Sequence, residues 1–182
     1  MTYIINHKKK FTDLKHHIDS QDHLLREANG GNSILFSYSP IDEELYIQKA
    51  KELFAEKAEF IDISKLFVQY IDQEGWESFE ALYNDFKSTP HLVFHSDDPE
   101  TDLFDLIISE IDRVNNKNKV PILIRTGCLL GTGIENVNIM EHKSIMKMER
   151  PLVIFYPSKI ENDNMYFLNY KPASKYRCVL VK

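Results

Sequence analysis

The sequence predicts an α/β protein with a mostly parallel central sheet, helices on both faces and a C-terminal antiparallel hairpin. Short apolar runs, at Ser33–Tyr38, Glu59–Ile63, Val120–Ile124 and Pro151–Tyr156, alternate with stretches of helical periodicity. Strands separated by helices imply right-handed crossovers and parallel pairing. Pro151-Leu-Val-Ile-Phe-Tyr156 is a near-continuous apolar run, the mark of a strand covered on both faces. The chain also carries RTGCLLGTGIENVNIMEH, Arg125 to His142, directly after the Val120–Ile124 strand, with glycines at 127, 131 and 133. Open α/β sheets place their binding crevice where a central strand ends in such a turn.

Residues 1 to 29 read as a helical preface on the stripe Phe11, Leu14, His17, Ile18, Leu24 and Leu25. Asn29-Gly30-Gly31-Asn32 stops it, because these residues tolerate the left-handed conformation that ends helices. After the first strand and Pro40, Asp42 to Ala55 forms an amphipathic helix with Leu45, Ile47, Ala50, Leu53 and Phe54 inward. Asp42, Glu43 and Glu44 crowd its first turn, where the helix dipole favours negative charge. Following the strand at 59 to 63, Ser64 is the expected N-cap of a helix through Leu66, Phe67, Tyr70 and Ile71.

Gly75 ends that helix, and Trp76, Phe79, Leu82, Tyr83 and Phe86 recur at helical spacing, which makes them core by default. His91–His95 reads as either a short strand or a helix extension. Ser96-Asp-Asp-Pro99 is turn chemistry, and Glu100 to Val114 is the next helix. Beyond the glycine turn a single helix is expected from Ile134 to Met148. Pro157 is expected to end the following strand. Met165–Asn169 and Tyr176–Val181 are expected to pair as the closing hairpin.

A chain of 182 residues with 43% apolar and 27% charged residues fits one domain, 1–182, with a core that needs no staples. No repeat, low-complexity segment or linker divides it. No apolar run reaches the ~18 residues of a membrane span, and MTYIINHKKKF has its charges after a short apolar run, the reverse of a secretory signal. Cys128 and Cys178 read as free thiols of a cytosolic chain. The net charge of -6 argues against broad nucleic-acid binding, which needs a basic face, and Lys8, Lys9 and Lys10 read as a solvated helix start.

Most candidate chemistry fails on spacing. Gly127-Cys-Leu-Leu-Gly131-Thr132-Gly133 resembles a phosphate loop superficially, but no lysine follows the glycines, and the dinucleotide spacing GxGxxG is absent. A tight turn needing positive φ, or amides that hold an anion or a partner carboxylate, both remain open for it. His16, Asp19 and His23 fall on one helical face and offer two nitrogens and an oxygen, the start of a zinc set. The segment is polar and no fourth ligand is evident, so they read as solvated and no metal or cofactor is expected. His91, His95, Asp97 and Asp98 are a weaker group of the same kind, and Asp62, Asp97 and Asp98 alone do not carry a Mg²⁺ site. His142 reads as a hydrogen-bonded helix histidine rather than a general base. No GxSxG elbow is present, and Cys128 reads as structural. No catalytic residue is assigned.

Several segments resemble the BrxB family of BREX (bacteriophage exclusion) defence systems. Ile34-Leu-Phe-Ser-Tyr-Ser-Pro40 with Asp42-Glu-Glu44 is similar to that family's first strand, and Thr126-Gly127 followed by His142 to its TG-to-His segment. Leu152-Val-Ile-Phe-Tyr-Pro157 resembles its "VVMFFPG" strand, Phe167-Leu168 its "LFG" piece and Tyr176-Arg177 its terminal "YR" strand. The likeness runs in order from about 33 to 181. Ser158 and Asn169 stand where the family has glycine, and the loop after Thr126-Gly127 is richer in glycine.

The resemblance implies a cytoplasmic, non-catalytic accessory or assembly component working beside a PglZ-like protein and other BREX components. The expected contact edge is Arg125, Thr126, Gly127, Gly131 and Gly133 with His142, and Arg177 adding charge. The expected architecture is P-loop-NTPase-like without a Walker A motif, and two other functional expectations are a degenerate nucleotide-binding domain and a metal-dependent nuclease or hydrolase using scattered acids and His142.

Overall fold

Ser20 divides the N-terminal helical preface in two. In the computed structural model, which describes residues 2–95 and 102–182 (backbone alone over 2–6), α1 (Thr2–Asp19) and α2 (Gln21–Glu27) meet at this residue. Its φ of -128° and ψ of 66° interrupt the helix. Phe11, Leu14, Ile18, Leu24 and Ala28 of the pair are buried against the sheet. The chain then enters β1 (Ser33–Tyr38), every residue of which is buried. A 3-10 turn over Pro40–Asp42 leads into α3 (Glu43–Phe54) and β2 (Ala58–Asp62). A long helical excursion follows: α4 (Ile63–Glu74), α5 (Trp76–Asp85), α6 (His91–Phe94) and α7 (Leu103–Asn116). The turn expected at Ser96–Pro99, the helix start at Glu100, and Asp97 and Asp98 lie outside the described residues.

The second half comprises β3 (Val120–Ile124), α8 (Asn136–Met140), α9 (Lys143–Met146), β4 (Leu152–Glu161), β5 (Asn164–Phe167), β6 (Lys171–Ala173) and β7 (Val179–Val181). The main sheet has the order β2-β3-β4-β1-β7, and all of its pairings are parallel. Side-chain alternation along the strands sorts the core into two layers. Ile34, Phe36, Tyr38, Ile122, Val153, Phe155, Val179 and Val181 face α1, α2 and α3. Leu35, Ile61, Leu123, Leu152, Ile154 and Tyr156 face the helices α4 to α9. The α/β class, the mostly parallel sheet and the helices on both faces are therefore as the sequence predicts.

Several local expectations are corrected. β4 does not stop at Pro157; it runs to Glu161 by changing partner. Pro157 is the last residue in register with β1, opposite Tyr38, and from Ser158 onward the strand pairs antiparallel with β5. A proline is tolerated at that junction because neither ladder depends on its missing N–H, and its carbonyl accepts from Leu168 N at 2.8 Å. The closing hairpin is also composed differently. β5 pairs with the tail of β4 and with β6, whereas β7 joins the main sheet parallel to β1, where Val179 and Val181 extend the apolar layer under α1.

The single helix expected over Ile134–Met148 is two short ones. Glu135 and His142 take extended ψ values of 158° and 139°, and their side chains cap the turns that follow them. Such local side-chain bonds compete with helix continuation. In α3 the inward positions belong to Tyr46, Ile47, Ala50 and Phe54, which leaves Leu45 and Leu53 exposed. The N-cap of α4 is Asp62, not Ser64. Of the aromatic series on α5 only Phe79 is buried, because this helix packs at the periphery, and Trp76 and Tyr83 lie against Phe79 from outside.

Gly31 lets the start of β1 approach the chain ahead of β7: a β-carbon there would overlap the carbonyl oxygen of Arg177. Gly30 adopts a φ of 81° but has open space around it. Gly31→Ala should therefore destabilise by about 1–3 kcal/mol through overpacking, and Gly30→Ala by about 1 kcal/mol through backbone strain alone. Thermal unfolding of the two variants checks the ranking.

Candidate functional site

The strand order reverses between β1 and β4. From β1 the chain crosses one face through α3 to the far edge at β2, then returns through β3 to β4 over the other face. In open α/β sheets ligands gather outside the carboxyl ends of the strands at such a reversal, and Tyr38, Asp62 and Arg125 lie at those ends here.

Arg125 follows β3 in the left-handed region, with φ 56° and ψ 36°. Its guanidinium is held between two carboxylates, with Nη1 donating to Asp62 Oδ2 at 2.6 Å and Nη2 to Glu44 Oε2 at 3.0 Å. Asp62 also accepts from the Ser64 amide at 3.2 Å and the Ser64 hydroxyl at 2.6 Å, which fastens the start of α4. Burial pushes the Asp62 carboxyl up, but the Ser64 bonds and the Arg125 charge outweigh it and hold the group below the usual carboxylate range. Close by, Tyr38 donates to Glu43 Oε1 at 2.7 Å; burial, and then this acceptor, raise the phenol above its ordinary value. The Lys10 ammonium donates to the Ser37 carbonyl at 3.1 Å, and its pKa is lowered by burial against the pull of Asp42.

Arg125 is engaged by two acids, and the first turn of α3, the helix N-terminus at the end of β1, carries Glu43 and Glu44. A polyphosphate arriving there meets carboxylates where a phosphate site presents amides and a lysine. Asp62, which the sequence offers only as a lone acid, thus serves as a cap and an ion-pair partner.

The glycine turn has mechanical duties. Thr126 is buried and donates to the Phe155 carbonyl at 2.7 Å, seating the turn on β4. Gly127 lies under Leu168 and Pro157. Gly131 and Gly133 take φ values of 88° and 78°, and a β-carbon on Gly133 would stand 2.5 Å from His91 Cβ, so this glycine admits α6. The Cys128 thiol donates to the Arg125 carbonyl at 3.1 Å, and burial pushes its pKa up to about 11, which keeps it protonated at neutral pH.

The remaining residues of the expected edge are dispersed. His142 is the N-cap of α9; its Nδ1 lies 2.9 Å from Ser144 Oγ, and its ring packs edge-on to Phe104 of α7. Arg177 precedes β7 beside Gly31, at the amino end of the sheet, so the structure places it at the opposite edge from Arg125. Asn169 adopts a φ of 69° that asparagine tolerates. Ser158 is buried with Oγ 2.9 Å from Ser37 Oγ.

Two features escape a linear reading. One is a groove between α1 and α3 with Phe11, Leu45, Tyr46, Leu53 and Phe54 on its walls and Lys8, Lys15 and Lys49 at its rim. The exposed Leu45 and Leu53 flank Lys49 at spacings of four, a second apolar stripe that the inward stripe of α3 conceals. The other is a histidine cluster on α1 and α2. Its carboxylate is Glu27 and not Asp19, which is instead paired with Lys57 at 2.9 Å. The spacing of His23 and Glu27, four apart on α2, was the available signal.

The fold and the carboxyl edge define an open, mainly parallel α/β protein whose strand-end acids are paired within the chain. Among the described residues no helix is long and apolar enough to cross a membrane. Comparison with protein-family models, with curated proteins and with solved structures gives no match.

The stability contributed by Asp62 should be complete above the ordinary carboxylate pKa of about 3.9 and be lost as pH falls through its lower folded value. Asp62→Asn should therefore unfold more readily at pH 7, by about 1 kcal/mol for the weakened cap and ion pair, and lose stability less steeply on acidification. Denaturant titrations at pH 7 and about pH 3 check both the size and the sign.

Proposed function

We propose that the chain is a non-catalytic accessory or assembly component of a BREX-type antiphage defence system, working in the cytoplasm through contact with a PglZ-like partner. The observation that carries this reading is the groove between α1 and α3. Leu45 and Leu53 are 53% and 51% exposed on a helix whose inward face is already filled, and lysines rim the groove they help to form. An apolar floor with a basic rim suits an acidic amphipathic segment laid into it. The BrxB resemblance supports the choice of system and partner. The pairing of Arg125 with both Asp62 and Glu44 and the protonated Cys128 agree with contact rather than chemistry as the protein's task. On this reading the contact surface moves from the glycine turn to the helical face beneath α1.

A second reading, a degenerate nucleotide-binding domain of P-loop-NTPase-like architecture, is favoured by one observation, the reversal of strand order in a fully parallel main sheet. The acidic first turn of α3 weighs against it.

The two readings separate in one set of measurements. Tagged full-length chain should retain a PglZ-like protein, and Leu45→Glu with Leu53→Glu should weaken retention by roughly tenfold or more, as expected when an apolar anchor is replaced by charge. The thermal midpoint should stay near wild type because both leucines are exposed. ATP and GTP should leave that midpoint unchanged. Undiminished retention by the double variant, or a nucleotide-dependent rise, would reverse the order of the two readings.

A further inference from the structure

The break in the helix at Ser20 brings residues three before it and three after it together. His17 of α1 and His23 of α2 stand with ring centroids 6.0 Å apart, and Glu27, one turn beyond His23, reaches back between them. One donor atom from each of these residues lies within 4.8 Å of the others. Glu27 Oε2 is 3.4 Å from His23 Nδ1 and 3.8 Å from His17 Nδ1.

The second of those separations is too long for a hydrogen bond. His17 Nδ1 is nevertheless buried and has no hydrogen-bond partner among the described residues. A buried ring nitrogen left without a donor or acceptor is costly, and its usual explanation is a bound water or ion. Tetrahedral zinc with bonds of about 2.0–2.2 Å sets neighbouring donors about 3.4 Å apart. The two distances from Glu27 are at that value or a few tenths of an ångström above it, and the three donors together lie within 4.8 Å of one another, a spread that side-chain rotations can close.

We propose that His17, His23 and Glu27 form a zinc site that clamps α2 onto α1, with water completing the coordination. Two imidazoles and one carboxylate are a zinc donor set, and the nitrogens suit zinc far better than magnesium or calcium, which prefer oxygen alone. His16 packs against both rings, at 5.6 and 5.5 Å, and helps to hold them in place. The clamp fixes the helix pair whose Phe11, Leu14, Ile18 and Leu24 cover one face of the sheet. Its effect is therefore on the stability of that layer.

The test is calorimetric titration of the full chain, stripped of metal, with zinc chloride. Binding should saturate at one ion per chain and raise the thermal midpoint. His23→Ala, at an exposed position that should not disturb folding, should weaken binding by at least roughly tenfold and abolish the thermal shift. Glu27→Gln should weaken it as well. Asp19→Ala, which removes the carboxylate paired with Lys57, should bind like wild type, and magnesium should produce no shift. Zinc binding by His23→Ala and Glu27→Gln equal to that of wild type would overturn the site, as would a wild-type chain that takes up no zinc.

Discussion

The parallel seam between β1 and β4 is the constraint to which the rest of the molecule is referred. Both strands are covered on both faces, and Phe36 stacks on Phe155 at 4.7 Å in the middle of the seam. The start of the seam is set by one buried side chain. Asn32 Nδ2 donates to the carbonyls of Met148 at 2.8 Å and Arg150 at 3.2 Å, while the Asn32 backbone carbonyl accepts from Leu152 N at 2.9 Å. These bonds tie the segment between α9 and β4 to the residue that precedes β1 and fix the register in which Ser33 meets Leu152. A parallel pair slipped by one residue would exchange its two faces, sending Ile34 and Phe36 away from α1 and α3. Gln21 joins the same network by donating to Asn32 Oδ1 and to the Met148 carbonyl, so the helical preface is placed by the register of the seam.

The strands of the main sheet were legible because burial on both faces leaves apolar runs that polar connections interrupt. β1 and β3 coincide with the predicted segments, and β2 lies within a residue of its own. What sequence could not show was which strands become neighbours. Val179–Val181 looks the same whether it closes a hairpin or extends a parallel sheet, and only the position of α1 above it decides the matter. Pro157 misled for a related reason: a proline ends a strand that keeps one partner, but not one that changes partner at that residue.

The candidate edge was legible in part. Arg125 and Thr126 sit where an open sheet gathers function, yet the acids that engage Arg125 come from positions 44 and 62, far from it in the chain. His142 and Arg177 share no local signal that would separate them from that edge; their placement follows from the path of α8, α9 and β7. The histidine cluster was half visible. The i, i+3 and i, i+4 rule assumes one continuous helix, and the break at Ser20 substitutes His17 and Glu27 for the partners that rule selects.

The carboxyl edge closes on its own charges, whereas the face of α3 beside α1 remains apolar and open. That contrast is the core of the functional account. Amide hydrogen exchange on the full chain, alone and mixed with a PglZ-like protein, tests it most directly. Slowed exchange confined to α1 and α3 when the partner is present is the predicted result. Unchanged exchange over those helices, with protection appearing instead across residues 125 to 133, would contradict it.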